Sequence, residues 1–345
     1  MTGETSLRRR GGVLAATLAV AAAFVLFPLV FSNPTTTSIA FFVLIYMIAA
    51  TAWNVFSGLS GYIALGHAVF FGAGAYTLAV GAEKLNVSAG WTPFALVPLA
   101  GVVAGAIAIP FGLISLRTRR HTFVVITIAI FFIFQTLAFN LSFTGGSSGL
   151  QTPFPFWTAV GYNQRFYYVA LLILVATVAM AVVVRRSRLG LQLLAIRDDE
   201  DRALGLGVRT GRVKLFAFTL SAIPVGMAGA VYAYFLGQIF PQFAFDPLFD
   251  ITIALMAFFG GLATIVGPLL GALVLESMQQ EFTLRFSAGG GIYLIAYGAL
   301  FLVVILLMPR GVVPTLREAL ANARERRAGS PGPGVRVQAP LRSRP

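Results

Sequence analysis

Six charged residues in a row, Arg197 to Arg202, sit at the centre of a polar stretch from Arg185 to Lys214. On either side lies an apolar run long enough to cross a bilayer. A charge at mid-membrane costs on the order of 2.5–3.5 kcal/mol per residue, so this stretch must lie in water. Leu189, Leu193, Ile196, Ala203 and Leu204 recur at helical spacing, with Glu200 in the gap on that stripe. Asp198 and Arg202 are four apart, in the order that supports a helix. Gly205 and Gly207 then stop it. The pattern predicts one short amphipathic helix over 189–207, tethered to the membrane at both ends. Such a helix does contact chemistry, not bond chemistry. Two roles stay open on these residues alone, a solvated loop helix and a docking helix for a soluble partner.

The second candidate is GYIALGHAVFFGAGAY, Gly61 to Tyr76, with His67 at its centre. Glycines inside a membrane let backbones approach closely or let a helix break. A break frees N–H and C=O groups that protein or a water-lined cavity must satisfy. Tyr62, His67 and Tyr76 could supply partners. Gly61, Tyr62, Gly66, His67, Phe71, Gly74 and Tyr76 are therefore candidates for a translocation pathway. Gly260, Gly261 and Gly267 join them from a second glycine-broken segment. The alternative is a packing helix with a hydrogen-bonded histidine.

No catalytic constellation accompanies these segments. There is no G-x-x-x-x-G-K-[ST] phosphate loop. The two histidines, His67 and His121, have no metal-type spacing with another ligand. The serines of Thr144–Gly149 form no G-x-S-x-G elbow. With no cysteine in the chain, thiol catalysis and cysteine metal sites are excluded. Glu276 is the clearest intramembrane carboxylate, with Asp250 and Glu281 placed near interfaces. Ion-driven pumps carry such groups in mid-span, so their scarcity points to an outside source of energy. No enzyme, cofactor or metal is expected.

The elements that position these residues can be read from composition. Of 345 residues, 58% are hydrophobic and only 11% charged, against about a quarter charged in soluble domains. The chain reads as an all-α polytopic membrane protein. The formal charge of +13 is mostly arginine at segment ends, which suits one membrane face and not nucleic acid. Apolar runs cover Val13–Phe31, Ser38–Phe56, Gly61–Val80, Phe94–Leu116, Thr122–Asn140, Phe166–Val184, Leu215–Leu236 and Ile292–Met308. Basic loops at 117–121 and 185–214, and the tail after Arg310, belong in the cytoplasm. Parity then requires the span from Ile251 to Arg285 to cross twice or to dip and return. Breaks at Gly260-Gly261 and Gly267-Pro268 split it into Asp250–Phe259, short or re-entrant, and Leu262–Glu281.

The total is about ten transmembrane or re-entrant helices, with both termini in the cytoplasm. Residues 1–12 form a basic N-terminus, 13–309 the membrane domain, and 310–345 a largely disordered tail. Gly61, Gly66 and Gly72 echo Gly261, Gly267 and Gly271, a possible internal repeat of the kind found in transporters.

Three stretches in fixed order carry a family resemblance. They are TAWNVFSGLSGYIALGHAVFFGAGAY at 51–76, RTRRHTFVVITIAIFFIFQTLAFN with TGGSSGL at 117–140 and 144–150, and SRLGLQLLAIRDDEDRALGLGVRTGRVKLFAFTLSAIPVGMAGAVYA at 187–233 with MAFFGGLATIVGPLLGA at 256–272. Over about residues 38–308 the chain resembles the LivM-type permeases of branched-chain amino acid ABC importers, with a more basic turn at Thr118–His121 than is usual there. The resemblance implies a multi-pass protein of the inner (plasma) membrane, surrounded by lipid. Its implied partners are a second, similar permease, two cytoplasmic ABC ATPase subunits and an external substrate-binding protein. It places the cytoplasmic coupling segment on Ala195, Ile196, Arg197, Asp198, Asp199, Glu200, Ala203, Leu204 and Gly205. It favours the docking role for that helix, and a sugar or amide in place of an amino acid stays open.

Overall fold

The computed structural model describes residues 22–31 and 33–286, and the single positions 298 and 315. Most of the first apolar run, the run Ile292–Met308 and the arginine-rich tail lie outside the described residues. Within them the apolar runs are helices, because only a helix satisfies its own backbone in hydrocarbon. Six helices are long and apolar enough to cross a membrane. These establish an all-α polytopic architecture.

Residues 22–30 form α1. The next helix, α2 (Pro34–Trp53), starts on a proline, and the Asn33 side chain accepts the Thr35 N–H at 3.0 Å. It continues into a π-helical turn, Asn54–Gly58. Residues 61–66 then have no regular structure, so α3 (His67–Lys84) begins six residues later than the apolar run suggested. Then come α4 (Leu96–Ser115), α5 (Arg120–Asn140) and α6 (Ala159–Arg186). In place of the single amphipathic helix stand two, α7 (Arg188–Asp198) and α8 (Glu200–Gly205). The chain continues with α9 (Thr210–Leu236), the single turn α10 (Pro241–Ala244), α11 (Pro247–Gly260) and α12 (Val266–Phe286).

The core is built around α9, which packs along α3 and α4. Small residues make this possible. A Cβ on Gly74 would stand 1.9 Å from the Gly226 carbonyl oxygen, and one on Gly229 would stand 2.0 Å from that of Phe71. The two backbones touch, as in close membrane helix pairs. Phe218 of α9 gathers Phe56, Phe70 and Phe111 at ring distances of 5.0, 5.3 and 5.4 Å. At the opposite end from the charged stretch, β1 (Leu150–Gln151) pairs antiparallel with β2 (Gln238–Ile239), Leu150 facing Ile239. This ties the loop before α6 to the loop after α9.

Candidate functional site

The α7–α8 helix pair is set by its caps. The Ser187 hydroxyl accepts the Gly190 N–H and starts α7. At Asp199 the backbone turns extended, with φ −158° and ψ 111°. Its carboxylate then accepts the Arg202 N–H at 3.0 Å and starts α8. An aspartate followed by Glu200 and Asp201 is a strong N-terminal signal, since acceptors and negative charge favour a helix start. That signal overrides the continuous apolar stripe. The arginine consequently pairs with Asp199, at 3.0 Å, instead of the expected Asp198.

The stripe also divides. Leu193, Ile196 and Ala203 are buried, and Leu189 and Ala195 partly so. Leu204 is 51% exposed and stands outside with Leu191, Leu206 and Gly205.

The inner face closes on the break in the α2–α3 region. Arg197 donates from Nη1 to the Gly58 carbonyl at 2.9 Å. Gly61, at φ +73°, lies under the Arg197 stem, which a Cβ there would approach to 3.0 Å. Arg120, at the start of α5, donates to the carbonyls of Ile196 and Arg197, both at 2.7 Å. A cation at the last carbonyls of α7 satisfies them and complements the helix dipole. Beside it Lys214 Nζ lies 2.6 Å from Glu200 Oε1, and the Tyr62 hydroxyl donates to Glu200 Oε2. The ammonium also donates to the Tyr62 hydroxyl at 3.1 Å and stands 4.3 Å from its ring centre, a cation–π contact. Three elements are thus clamped together by one ion pair and one phenol.

Burial alone would raise the Glu200 carboxyl, but hydrogen bonds from Lys214 and Tyr62 outweigh it and hold it below the ordinary value of 4.5. Burial, and then the adjoining Glu200 carboxylate, push the Tyr62 phenol above its ordinary value of 10.0. A lowered carboxyl stabilises the fold above its unfolded value and loses that as pH falls through the folded one. A raised phenol stabilises below its unfolded value and loses that as pH rises. The clamp is therefore expected to be flat in pH between these limits. Amide protection over 188–207, corrected for intrinsic rates, should be equal at about pH 5.5 and pH 8.5, because both lie between the ordinary carboxyl and phenol values.

Beyond the clamp the break runs on to α3. Gly66 has no side chain with which to cap α3. Asp250 of α11 does so from 183 residues away, its Oδ1 accepting the N–H groups of His67 at 2.8 Å and Ala68 at 3.1 Å. Negative charge at a helix N-terminus is favoured by the dipole. Asp250 is only 2% exposed. His67 is fully buried, its Nε2 3.0 Å from the Ser221 hydroxyl and its ring edge-on to Phe70 and Phe218.

The residues that sequence grouped as one pathway therefore separate. Gly61 and Tyr62 belong to the clamp. A Cβ on Gly66 would meet the Phe111 ring at 2.5 Å. Phe71 and Gly74 pack on α9, and Tyr76 stacks on Phe245. Gly260, Gly261 and Gly267 lie at the α11–α12 turn. Sequence reasoning missed Arg120, Lys214, Ser221 and Asp250 as partners. A signal existed for Asp250, because a carboxylate in an apolar run needs donors and a broken helix offers them. Among the described residues no three His, Asp or Glu side chains gather where a metal could bind.

Comparison with known proteins bears on this site. The family described as branched-chain amino acid transport system / permease component matches residues 35–308. The chain is 29% identical over 314 residues to the high-affinity branched-chain amino acid transport system permease protein LivM of Escherichia coli (strain K12), covering 83% of this chain and 71% of that protein. It is 24% identical over 288 residues to LivH, a permease protein of the high-affinity branched-chain amino acid transport system in the same strain, covering 78% and 91%. It is 26% identical over 223 residues to the L-arabinose ABC transporter permease protein AraH of Azospirillum brasilense, covering 59% and 61%. No solved structure matches the chain.

Proposed function

The chain belongs to the family of branched-chain amino acid transport permease components, and from that premise we propose that it is the membrane subunit of an ATP-driven importer. Its cargo is a branched-chain or related small amino acid, and it forms half of an alternating-access pathway. ATP is hydrolysed in separate subunits, two of which dock in the cytoplasm. A second, homologous permease completes the pathway, and a soluble binding protein delivers substrate from outside.

One observation carries this reading. The α7–α8 pair is gripped on its inner face by the broken membrane segment and presents Leu191, Leu204 and Leu206 on its outer face. That is the arrangement a mechanical contact needs, with one face for the partner and one for transmission. The pathway itself is proposed to lie where two permeases meet, with the Gly61–Tyr76 and Gly260–Gly267 segments as the elements that move it. The relative named for L-arabinose favours a second cargo class, a small sugar.

Ten crossings, with both termini and the 185–214 segment inside, are part of the proposal. The arginine distribution supports it, as do α11 and α12, which form the return expected between 251 and 285. The two breaks, at 61–66 and around Gly261, also fall at the glycines that the possible repeat had paired. Because the chain has no cysteine, single cysteines report topology cleanly. Cysteine at Lys84, Phe156 or Phe243 should react with an impermeant reagent added outside cells. Cysteine at Arg119, Asp201 or Leu206 should react only after lysis. External reaction at 201 would overturn the orientation.

A further inference from the structure

Two polar points tie the α11–α12 hairpin to α2 and α3, and both lead back to the cytoplasmic helix pair. The hairpin is one packed unit, because its arms touch backbone to backbone. A Cβ on Gly260 would stand 1.7 Å from the Gly267 carbonyl oxygen, and one on Gly271 would stand 1.9 Å from that of Met256. Its tip is stitched internally. The Thr264 hydroxyl donates to the Gly261 carbonyl at 2.7 Å and accepts the Gly267 N–H at 3.0 Å.

At the tip Ala263 has φ +58°, a left-handed conformation that a residue with a Cβ keeps only when its surroundings impose it. Asn54 imposes it. Its Oδ1 accepts the Ala263 N–H at 2.9 Å, and its Nδ2 donates to the Thr264 carbonyl at 2.8 Å. Asn54 opens the π-helical turn of α2, and Gly58 closes it. The Gly58 carbonyl is the one that Arg197 of α7 holds. The second point is Asp250, which grips α3 just past the segment carrying Tyr62. Beside the tip lies a small cavity of mixed lining, with Thr51, Asn54, Arg185 and Thr264 beside the apolar Leu59 and Ile265. Among the described residues Thr51 Oγ1 and Arg185 Nη1 have no hydrogen-bond partner, and both border the tip.

We propose that Asn54 is the positioning residue through which the cytoplasmic helix pair sets the α11–α12 tip, and that this hairpin is a gate which the pair moves. The proposal rests on the reading as an ATP-driven permease. A displacement of α7 pulls Gly58 through Arg197, turns the π-helical segment, and carries the tip through the paired amide of Asn54. Single π-helical turns inside α-helices are frequent at functional sites.

Two variants of the full complex in liposomes test it, each compared with the unaltered complex. Asn54→Ala cuts the link without touching the helix pair. Leucine uptake should fall on the order of tenfold or more, the scale of coupling between sites, while ATP hydrolysis stays near normal. Leu59→Cys with Ile265→Cys keeps Asn54 and allows the tip to be bridged across the cavity by a reducible bifunctional thiol reagent. Bridging should stop uptake, and reduction should restore it. The gate is overturned if the bridged protein transports at the unbridged rate, or if Asn54→Ala loses uptake and hydrolysis in equal measure. Should Asn54→Ala not assemble, the bridged pair decides alone. If the unaltered complex shows no ATP-dependent uptake of leucine, another small amino acid or L-arabinose, the importer reading fails; normal uptake with an indifferent residue 54 removes only the gate.

Discussion

Replacing Glu200 by alanine should loosen the α7–α8 helix pair by about 3 kcal/mol, the low end of the range for breaking a buried ion pair. The low end applies because the Glu200 side chain is 23% exposed. The effect is large because of the group left behind. The Lys214 side chain is only 4% exposed, and without the carboxylate its ammonium keeps the Tyr62 hydroxyl as acceptor and nothing of opposite charge. A loss of that size multiplies local opening by about 100-fold, and amide exchange over 188–207 should quicken accordingly. Glu200→Gln, which keeps an acceptor, should do less. Adding Lys214→Met to Glu200→Ala should recover most of the protection, since a buried pair can be exchanged for apolar packing at little cost. Unaltered exchange in Glu200→Ala would show that the pair does not hold the helices.

Leu204→Asp should have the opposite profile, silent in the isolated chain and severe in the complex. At 51% exposed, an aspartate here stays in water, so insertion and pairing with the second permease should be near normal. Docking of an ATPase would bury the leucine, which contributes about 1.5–3 kcal/mol. Aspartate forfeits this and adds the cost of a desolvated charge. Association should weaken by roughly 10- to 100-fold or more, and hydrolysis in surviving complexes should respond little to loaded binding protein. Titrated pull-down and hydrolysis in liposomes measure both. Full association and full stimulation would remove the docking role from α8.

The two variants separate residues that looked alike in sequence. Glu200 and Leu204 share one helical stripe by spacing, yet the first faces the membrane domain and the second faces outward. Both lie in α8, Glu200 in its first turn, where its side chain reaches Lys214 and Tyr62, and Leu204 in its last turn, exposed. The capping carboxylate of Asp199 restarts the helix and parts this stripe from that of α7. The signal was present as Asp-Glu-Asp at a helix start, but the unbroken apolar stripe masked it. The membrane spans were legible because lipid leaves the backbone few alternatives. The break before His67 was legible as glycine.

The partners were not. Tyr62 meets Glu200 across 138 residues and His67 meets Asp250 across 183, and no local pattern encodes such pairings. Gly61 and Tyr62 stood out by residue type, and the fold places both against the α7–α8 pair. Burial of His67 against Phe70 and Phe218 likewise depends on helices that only the fold assembles.

Uptake of radiolabelled leucine into proteoliposomes tests the importer assignment most directly. The vesicles should hold this chain with its partner permease, the ATPase subunits inside, and binding protein outside. Leucine should accumulate against its gradient only when ATP is present in the lumen and binding protein outside, and accumulation should disappear when this chain is omitted. Leucine accumulation by this chain alone, without the ATPase subunits, would contradict the assignment and identify an autonomous transporter.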